Sequence, residues 1–208
     1  NFKETWKIVL KKAGLNRTKE LANTIKFFLS KHSSQQCKEE HCSHREIPFS
    51  PLHIAAEAGQ TSLCKFIIDR VEDKNPKNVH NVNWTPLHEA AQVGKLEICK
   101  YIMDHVHDKS PIDDFDQTPL HAAAKRGHLE IFKLIFDKIE VKNPRNQDGI
   151  TPLHNAAKHG HLEICKLICS SIQDKNPFDN RGDTPIDFAM ASSVKNKLKQ
   201  EFVRYEKN

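Results

Sequence analysis

Short apolar stripes at helical spacing recur along most of the chain. In LEIFKLIFDKI, Ile131, Phe132, Leu134, Ile135 and Ile139 line one face at the 3.6-residue period of a packed helix. The same stretch returns as SLCKFIIDRV, LEICKYIMDHV and LEICKLICSSI. Ahead of each stands a shorter block: SPLHIAA at 50–56, TPLHEAA at 85–91, TPLHAAA at 118–124 and TPLHNAA at 151–157. A fifth, TPIDFAM, occupies 184–190. Successive blocks begin 35 and then three times 33 residues apart. The pattern predicts repeated helix pairs, each too thin to bury its apolar face without neighbours.

The punctuation between stripes agrees. Thr85, Thr118, Thr151 and Thr184, with Ser50 in the first copy, are residue types that cap a helix N-terminus by binding its unpaired amides. The prolines that follow, from Pro51 to Pro185, fall at the first helical position, where a missing N–H costs nothing. Alanine pairs such as Ala90–Ala91 and Ala156–Ala157 leave a narrow surface for close helix approach. Gly59, Gly94, Gly127 and Gly160 end the short helix, since a left-handed residue there favours glycine. Pro76, Pro111, Pro144 and Pro177 prevent the second helix from continuing.

A period of about 33 residues with a T-P-L-H-x-A signature resembles the ankyrin family, over residues 46 to roughly 203. The resemblance implies an all-α solenoid of helix-turn-helix units joined by β-hairpin-like turns, with helical caps. Repeats are expected to start near 46, 80, 113, 146 and 179 and to fill residues 46–192. In this family a glycine stops the second helix early. Val71, Val106, Ile139 and Ile172 stand in that place, so a slightly longer second helix is expected. The segments 146–149 and 179–182 fit the family's hairpin turn, while Asn83 and Asp116 replace its glycine and tolerate positive φ. The two extra residues of the first interval are expected in a longer finger around Lys77–Trp84.

A stack needs covered ends. Residues 1–45 read as a helical hairpin and basic linker: Trp6, Val9, Leu10 and Ala13 share one face, Gly14 follows, and Leu21, Ile25, Phe28 and Leu29 repeat at helical spacing. This hairpin either covers the first repeat or is the tail of a preceding domain. Residues 193–208 read as a capping helix with Val194, Leu198, Phe202 and Val203 inward and Lys195, Lys197, Lys199 and Arg204 outward.

Composition changes this picture little. The chain has 208 residues, 38% hydrophobic and 28% charged, lean in apolar content but sufficient for a stack that buries thin stripes. The net charge of +5 is concentrated in residues 1–45, where ten Lys/Arg face four Asp/Glu. No apolar run approaches the roughly 18 residues of a membrane span, so no membrane insertion is expected. No signal-peptide pattern opens the chain, and a start at Asn1 suggests a segment of a longer protein. Cys64, Cys99 and Cys165 share one repeat position with Phe132, and Cys169 aligns with Ile68, Met103 and Phe136. They read as buried apolar residues, which points to an intracellular setting, the cytoplasm or alternatively the nucleus.

Four equivalent histidines, His53, His88, His121 and His154, are too regular for one active site; the resemblance makes them structural supports of the turn. Cys37, His41, Cys42 and His44 are the one cluster of zinc-ligand types, but four ligands within eight residues crowd a single ion, and a solvated linker is the preferred reading. No catalytic motif, cofactor motif or acid/base pair is evident. By the family's geometry, Trp84, Phe115 and Ile150 are expected at turn tips of a concave face. Glu89, Gln92, Val93, Lys125, Arg126, Asn155, Lys158 and His159 are expected on the neighbouring helices of that face. Exposed aromatics and arginine there suit protein binding. The expected function is a monomeric, non-catalytic scaffold or adaptor that holds a protein partner and needs no cofactor. The alternatives are a regulatory or targeting domain of a larger enzyme or effector, and nucleic-acid binding through the basic hairpin.

Overall fold

The computed structural model describes residues 50–69, 71–78, 82–189, 195–197 and 199–200. The N-terminal hairpin, the cluster Cys37, His41, Cys42 and His44, and the capping residues Val194, Leu198, Phe202 and Val203 lie outside the described residues.

Among the described residues nine α-helices alternate short and long. The first helices of the units are α1 (Pro51–Glu57), α3 (Pro86–Val93), α5 (Pro119–Arg126), α7 (Pro152–His159) and α9 (Pro185–Phe188). The second helices are α2 (Thr61–Ile68), α4 (Leu96–His105), α6 (Leu129–Lys138) and α8 (Leu162–Ser171). First helices pack on first helices and second on second, so the core is one continuous seam along the stack. The first four of these helices each contribute one leucine (Leu52, Leu87, Leu120, Leu153), and alanines such as Ala90, Ala123 and Ala156 are fully buried with them. Cys64, Cys99 and Cys165 are free thiols buried at the repeat position that Phe132 fills in the third unit, and Cys169 is buried at the position of Phe136. Burial pushes the Cys64 and Cys99 thiols up to about 12, so they stay protonated. Helices of eight to ten residues are too short to persist alone in water, so this packing holds them. None of the described helices is long and apolar enough to cross a membrane.

The glycines close the first helices as expected. Gly94, Gly127 and Gly160 are left-handed C-caps, and Gly59 follows the C-cap Ala58 with φ 69°. At Gly127 a second reason applies: a Cβ there would lie 2.4 Å from Cε1 of His161 in the next unit. That imidazole donates its Nε2–H to the Lys125 carbonyl at 3.3 Å, and His128 does the same to Gln92 at 3.2 Å.

The second helices do not run longer. They stop at His105, Lys138 and Ser171, and the next residues, Val106, Ile139 and Ile172, are extended, with ψ of 148°, 155° and 155°. The helix before Val71 stops earlier still, at Ile68. A lysine takes the role of the missing glycine. Lys109 Nζ donates to the carbonyls of Met103 and Val106, and Lys74 Nζ to those of Ile68 and Val71 at 2.5 and 2.8 Å. Lys142 reaches Phe136 in the same way. An ammonium on the terminal carbonyls satisfies orphan acceptors and matches the negative end of the helix dipole. The lysine lies two residues before the proline in all four units, and in the last Lys175 Nζ donates to Ile172 at 3.3 Å.

The units are joined by the histidines. Nδ1 of His88, His121 and His154 accepts the backbone N–H of Thr85, Thr118 and Thr151 at 3.2, 3.1 and 3.2 Å. The threonine hydroxyl donates to the same nitrogen at 2.9, 3.0 and 2.9 Å. Nε2 then donates to a carbonyl in the next finger: His53 to Trp84 (2.9 Å), His88 to Gln117 (3.0 Å), His121 to Ile150 (3.1 Å) and His154 to Asp183 (3.2 Å). An N–H can only donate and a carbonyl only accept, so His88, His121 and His154 are neutral with the proton on Nε2, and Nε2 of His53 likewise carries a proton. In the fifth unit Asp187 stands in the histidine place. Its Oδ2 accepts from the Thr184 amide at 3.1 Å and the hydroxyl at 2.6 Å. No further finger follows among the described residues, and there an acceptor alone suffices.

Burial drives His53, His88 and His121 down to about 4 and lowers His154 as well, only partly offset by the carbonyl bonds. The free side chain titrates near 6.5, so the neutral form is favoured by folding. The contributions of His53, His88 and His121 are full above pH ~6.5 and are lost as pH falls towards about 4, on the order of 3 kcal/mol apiece. Urea titrations between pH 7.5 and 4.5 should show a steep fall in stability over this window, with about three protons taken up on unfolding near pH 5. Stability that stays flat from pH 7 to 5 would contradict the relay. Leu120→Ala, at a fully buried position, should cost about 2–4 kcal/mol in the same assay at pH 7.5.

Candidate functional site

The surface left for chemistry is built from the fingers between units. Each of the three later fingers is a tight turn closed on an acidic or amide side chain. Asp113 donates its N–H to the Gln117 carbonyl at 3.0 Å, and its Oδ1 accepts the amides of Phe115 and Gln117 at 2.8 Å each. Asn146 and Asp179 repeat the device towards Ile150 and Asp183. The fourth residue of each turn has positive φ: Asp116 at 58°, Gly149 at 77° and Gly182 at 89°. Asn83 holds the same place in the first finger at 58°, preceded by Val82 at 48°, a costly conformation for a β-branched side chain. That first finger is the long one: Asn78 bridges Trp84 across five residues, whereas Asp113 pairs with Gln117 across three.

Fingers are tied tip to tip. The amides of Asp114, Gln147 and Asn180 donate to the carbonyls of Val82, Phe115 and Asp148 at 2.9, 3.0 and 2.9 Å. Side chains add Asn83 to Asp114 (2.5 Å) and Asn180 to Gln147 (2.7 Å). Tip side chains are therefore held on a fixed backbone.

Phe115 lies at a tip and is half exposed. Trp84 and Ile150 do not lie at tips. Each is the residue before the capping threonine, at the finger base, and each is partly buried. The reason is the histidine relay, which needs their carbonyls facing the preceding unit. Trp84 is held further by its indole N–H, which donates to Asp113 Oδ2 at 2.9 Å, and by stacking on His88 with centroids 5.4 Å apart. Glu89 also differs from expectation: it is 7% exposed, walled in beside Trp84 and Gln92. Gln92, Val93 and Asn155 are partly buried, and Lys125, Arg126, Lys158 and His159 are exposed at the ends of α5 and α7. Lys158 Nζ lies 5.9 Å from the Phe188 ring centre, and His159 Nδ1 donates to the Asn155 carbonyl at 3.0 Å.

Four of the expected residues meet in one groove of about 310 Å³. Finger one supplies Val82 and Trp84, finger two supplies Asp113, Phe115 and Gln117, and α3 supplies Glu89 and Gln92. The remaining expected residues lie beyond it on α3, α5, α7 and the third finger. Ile112 and Phe178, 45% and 62% exposed, were not anticipated. They follow Pro111 and Pro177, in register with Lys77 and Arg145, and the alternation of cation and apolar residue after the four prolines was the available signal. Among the described residues no group of three or more His, Cys, Asp or Glu side chains is placed to hold a metal ion.

A family model described as ankyrin repeats (3 copies) matches the chain over residues 18–113, 52–144, 105–179 and 139–205. No curated protein matches it.

The two aromatics of the groove should behave differently on truncation. Trp84→Ala removes a stacked, hydrogen-bonded ring and should cost about 1–3 kcal/mol in thermal or urea denaturation, whereas Phe115→Ala should stay within about 0.5 kcal/mol. Equal losses would mean that Phe115 packs on a neighbouring finger.

Proposed function

Because the chain belongs to the ankyrin-repeat family, whose members are in general non-catalytic protein-interaction modules, we propose that it is a scaffold or adaptor holding a partner protein. The proposed contact surface is the concave face of fingers and first helices. One observation carries this reading. Phe115, a large aromatic side chain, is half exposed at a tip that has hydrogen bonds to both adjacent fingers. A rigid aromatic loses little entropy on contact and gains by leaving water, which is why such residues dominate interface energetics. Lys125, Arg126, Lys158 and His159 add exposed polar side chains at the ends of α5 and α7, and Gln92, Val93 and Asn155 are partly buried on α3 and α7. Trp84, Glu89 and Ile150 shape the floor and support the exposed residues.

Residues 1–45 and 193–208 are proposed to cover the two ends of the repeats at 46–192. The family match, from residue 18 to residue 205, extends into both segments, as ends packed continuously onto the repeats would give.

Affinity capture from cell lysate with the wild-type chain beside a Phe115→Ala/Arg126→Ala/Lys158→Ala variant tests the face. These positions are exposed, so the variant should fold with unchanged stability. At least one protein should be retained by the wild type and reduced about tenfold or more by the variant. Equal retention of every captured protein would place the interaction elsewhere.

A further inference from the structure

Resting on that proposed face, we infer that the groove between the first two fingers takes a cationic residue beside an apolar one, and that an acidic stretch of the same extended partner segment runs along the ends of α5 and α7. The groove has no basic side chain in its lining. Its two ionisable groups, Glu89 and Asp113, are both carboxylates and are 7% and 4% exposed. Asp113 is fixed in place by three N–H donors, the amides of Phe115 and Gln117 and the indole of Trp84. Asp114 and Asp116 flank Phe115 on the rim. Carboxylates fixed in a walled groove focus negative potential into it. The rings of Trp84 and Phe115 add faces that attract a guanidinium or ammonium and also cover an apolar side chain. A cation and a neighbouring apolar group together satisfy both parts of that lining.

The character of the face reverses further along the stack. Lys125 and Arg126 end α5, Lys158 and His159 end α7, and among the described residues neither Lys125 nor Arg126 has an ion pair. A wholly basic segment would be repelled there, and a wholly acidic one would be repelled at the groove. The face therefore selects a segment of mixed and ordered charge. Packed helices lie about 8–10 Å apart, and an extended chain advances about 3.3 Å per residue. The acidic positions should accordingly fall about three and six residues from the cation–apolar pair.

Selection from a displayed random 12-residue peptide library against the whole chain reads this directly. Selected peptides are then synthesised with a fluorophore and titrated by anisotropy. Sequences carrying Arg or Lys next to an apolar residue, with Asp or Glu about three to six positions away, are expected. Their affinity should fall about tenfold in Phe115→Ala and in the neutral isostere pair Glu89→Gln/Asp114→Asn. With Lys125→Glu/Arg126→Glu the affinity should fall as well, and exchanging the peptide's acids for lysines should restore it. Peptides that are acidic throughout or uncharged, yet still weakened by Phe115→Ala, would overturn the charge assignment and leave the proposed face standing. Peptides indifferent to every one of these variants would overturn both. A library that yields no binder would overturn the extended-segment occupant, while the lysate comparison decides the face independently.

Discussion

A neutral imidazole, bare at Nδ1 and protonated at Nε2, carries the connection between one unit and the next. On one side it accepts the amide of its own capping threonine, and on the other it donates to a finger carbonyl 29 residues further on, as His88 does towards Gln117. Few side chains offer an acceptor and a donor on opposite edges of a rigid, compact ring. Glutamine has both groups but is flexible, and aspartate has acceptors only. The fifth unit makes the point within this chain: Asp187 replaces histidine, keeps the cap and has no donor to offer onward, its other oxygen lying 3.9 Å from Lys195 Nζ. The relay also depends on burial, because a protonated ring would lose its acceptor and require solvation that the seam does not supply.

Around that joint, other constraints follow from how closely the units approach. The left-handed glycines release the chain from each first helix, and Gly94 and Gly127 also admit the next unit's imidazole, His128 and His161. At the far end of the unit no glycine is available, and Lys74, Lys109 and Lys142 cap the second helices from beyond. A side-chain cap lets the backbone turn straight into an extended residue such as Val106. The finger then begins without a left-handed residue, and a branched apolar side chain packs where glycine would leave a gap.

The same joints separate framework from function. Carbonyls at finger bases are committed to the relay, and tip amides are committed to the neighbouring tip. What remains variable is a small set of side chains: the tip residue, the residue after each proline, and the ends of the first helices. Those positions carry Phe115, Ile112, Phe178, Lys125, Arg126 and Lys158. A protein built this way can change what it binds without touching what holds it together, which is why recognition has to be argued from individual side chains and not from the fold.

Much of the architecture was legible along the chain because it is local and repeated. The N-caps, the C-cap glycines, the buried cysteines at the Phe132 position and the longer first finger all follow from period and residue type, each dictated by neighbours within a few residues. The end of the second helix was not legible, since the lysine that caps it acts from several residues beyond the stop. Nor was the true place of Trp84, Ile150 and Glu89. Trp84 and Phe115 look alike as apolar letters near a turn, but one ring is anchored by Asp113 of the next finger and the other stands at a tip half in water. Periodicity identifies which positions are equivalent. Whether a variable side chain at such a position is covered depends on partners about thirty residues away, and only the packed stack brings those together.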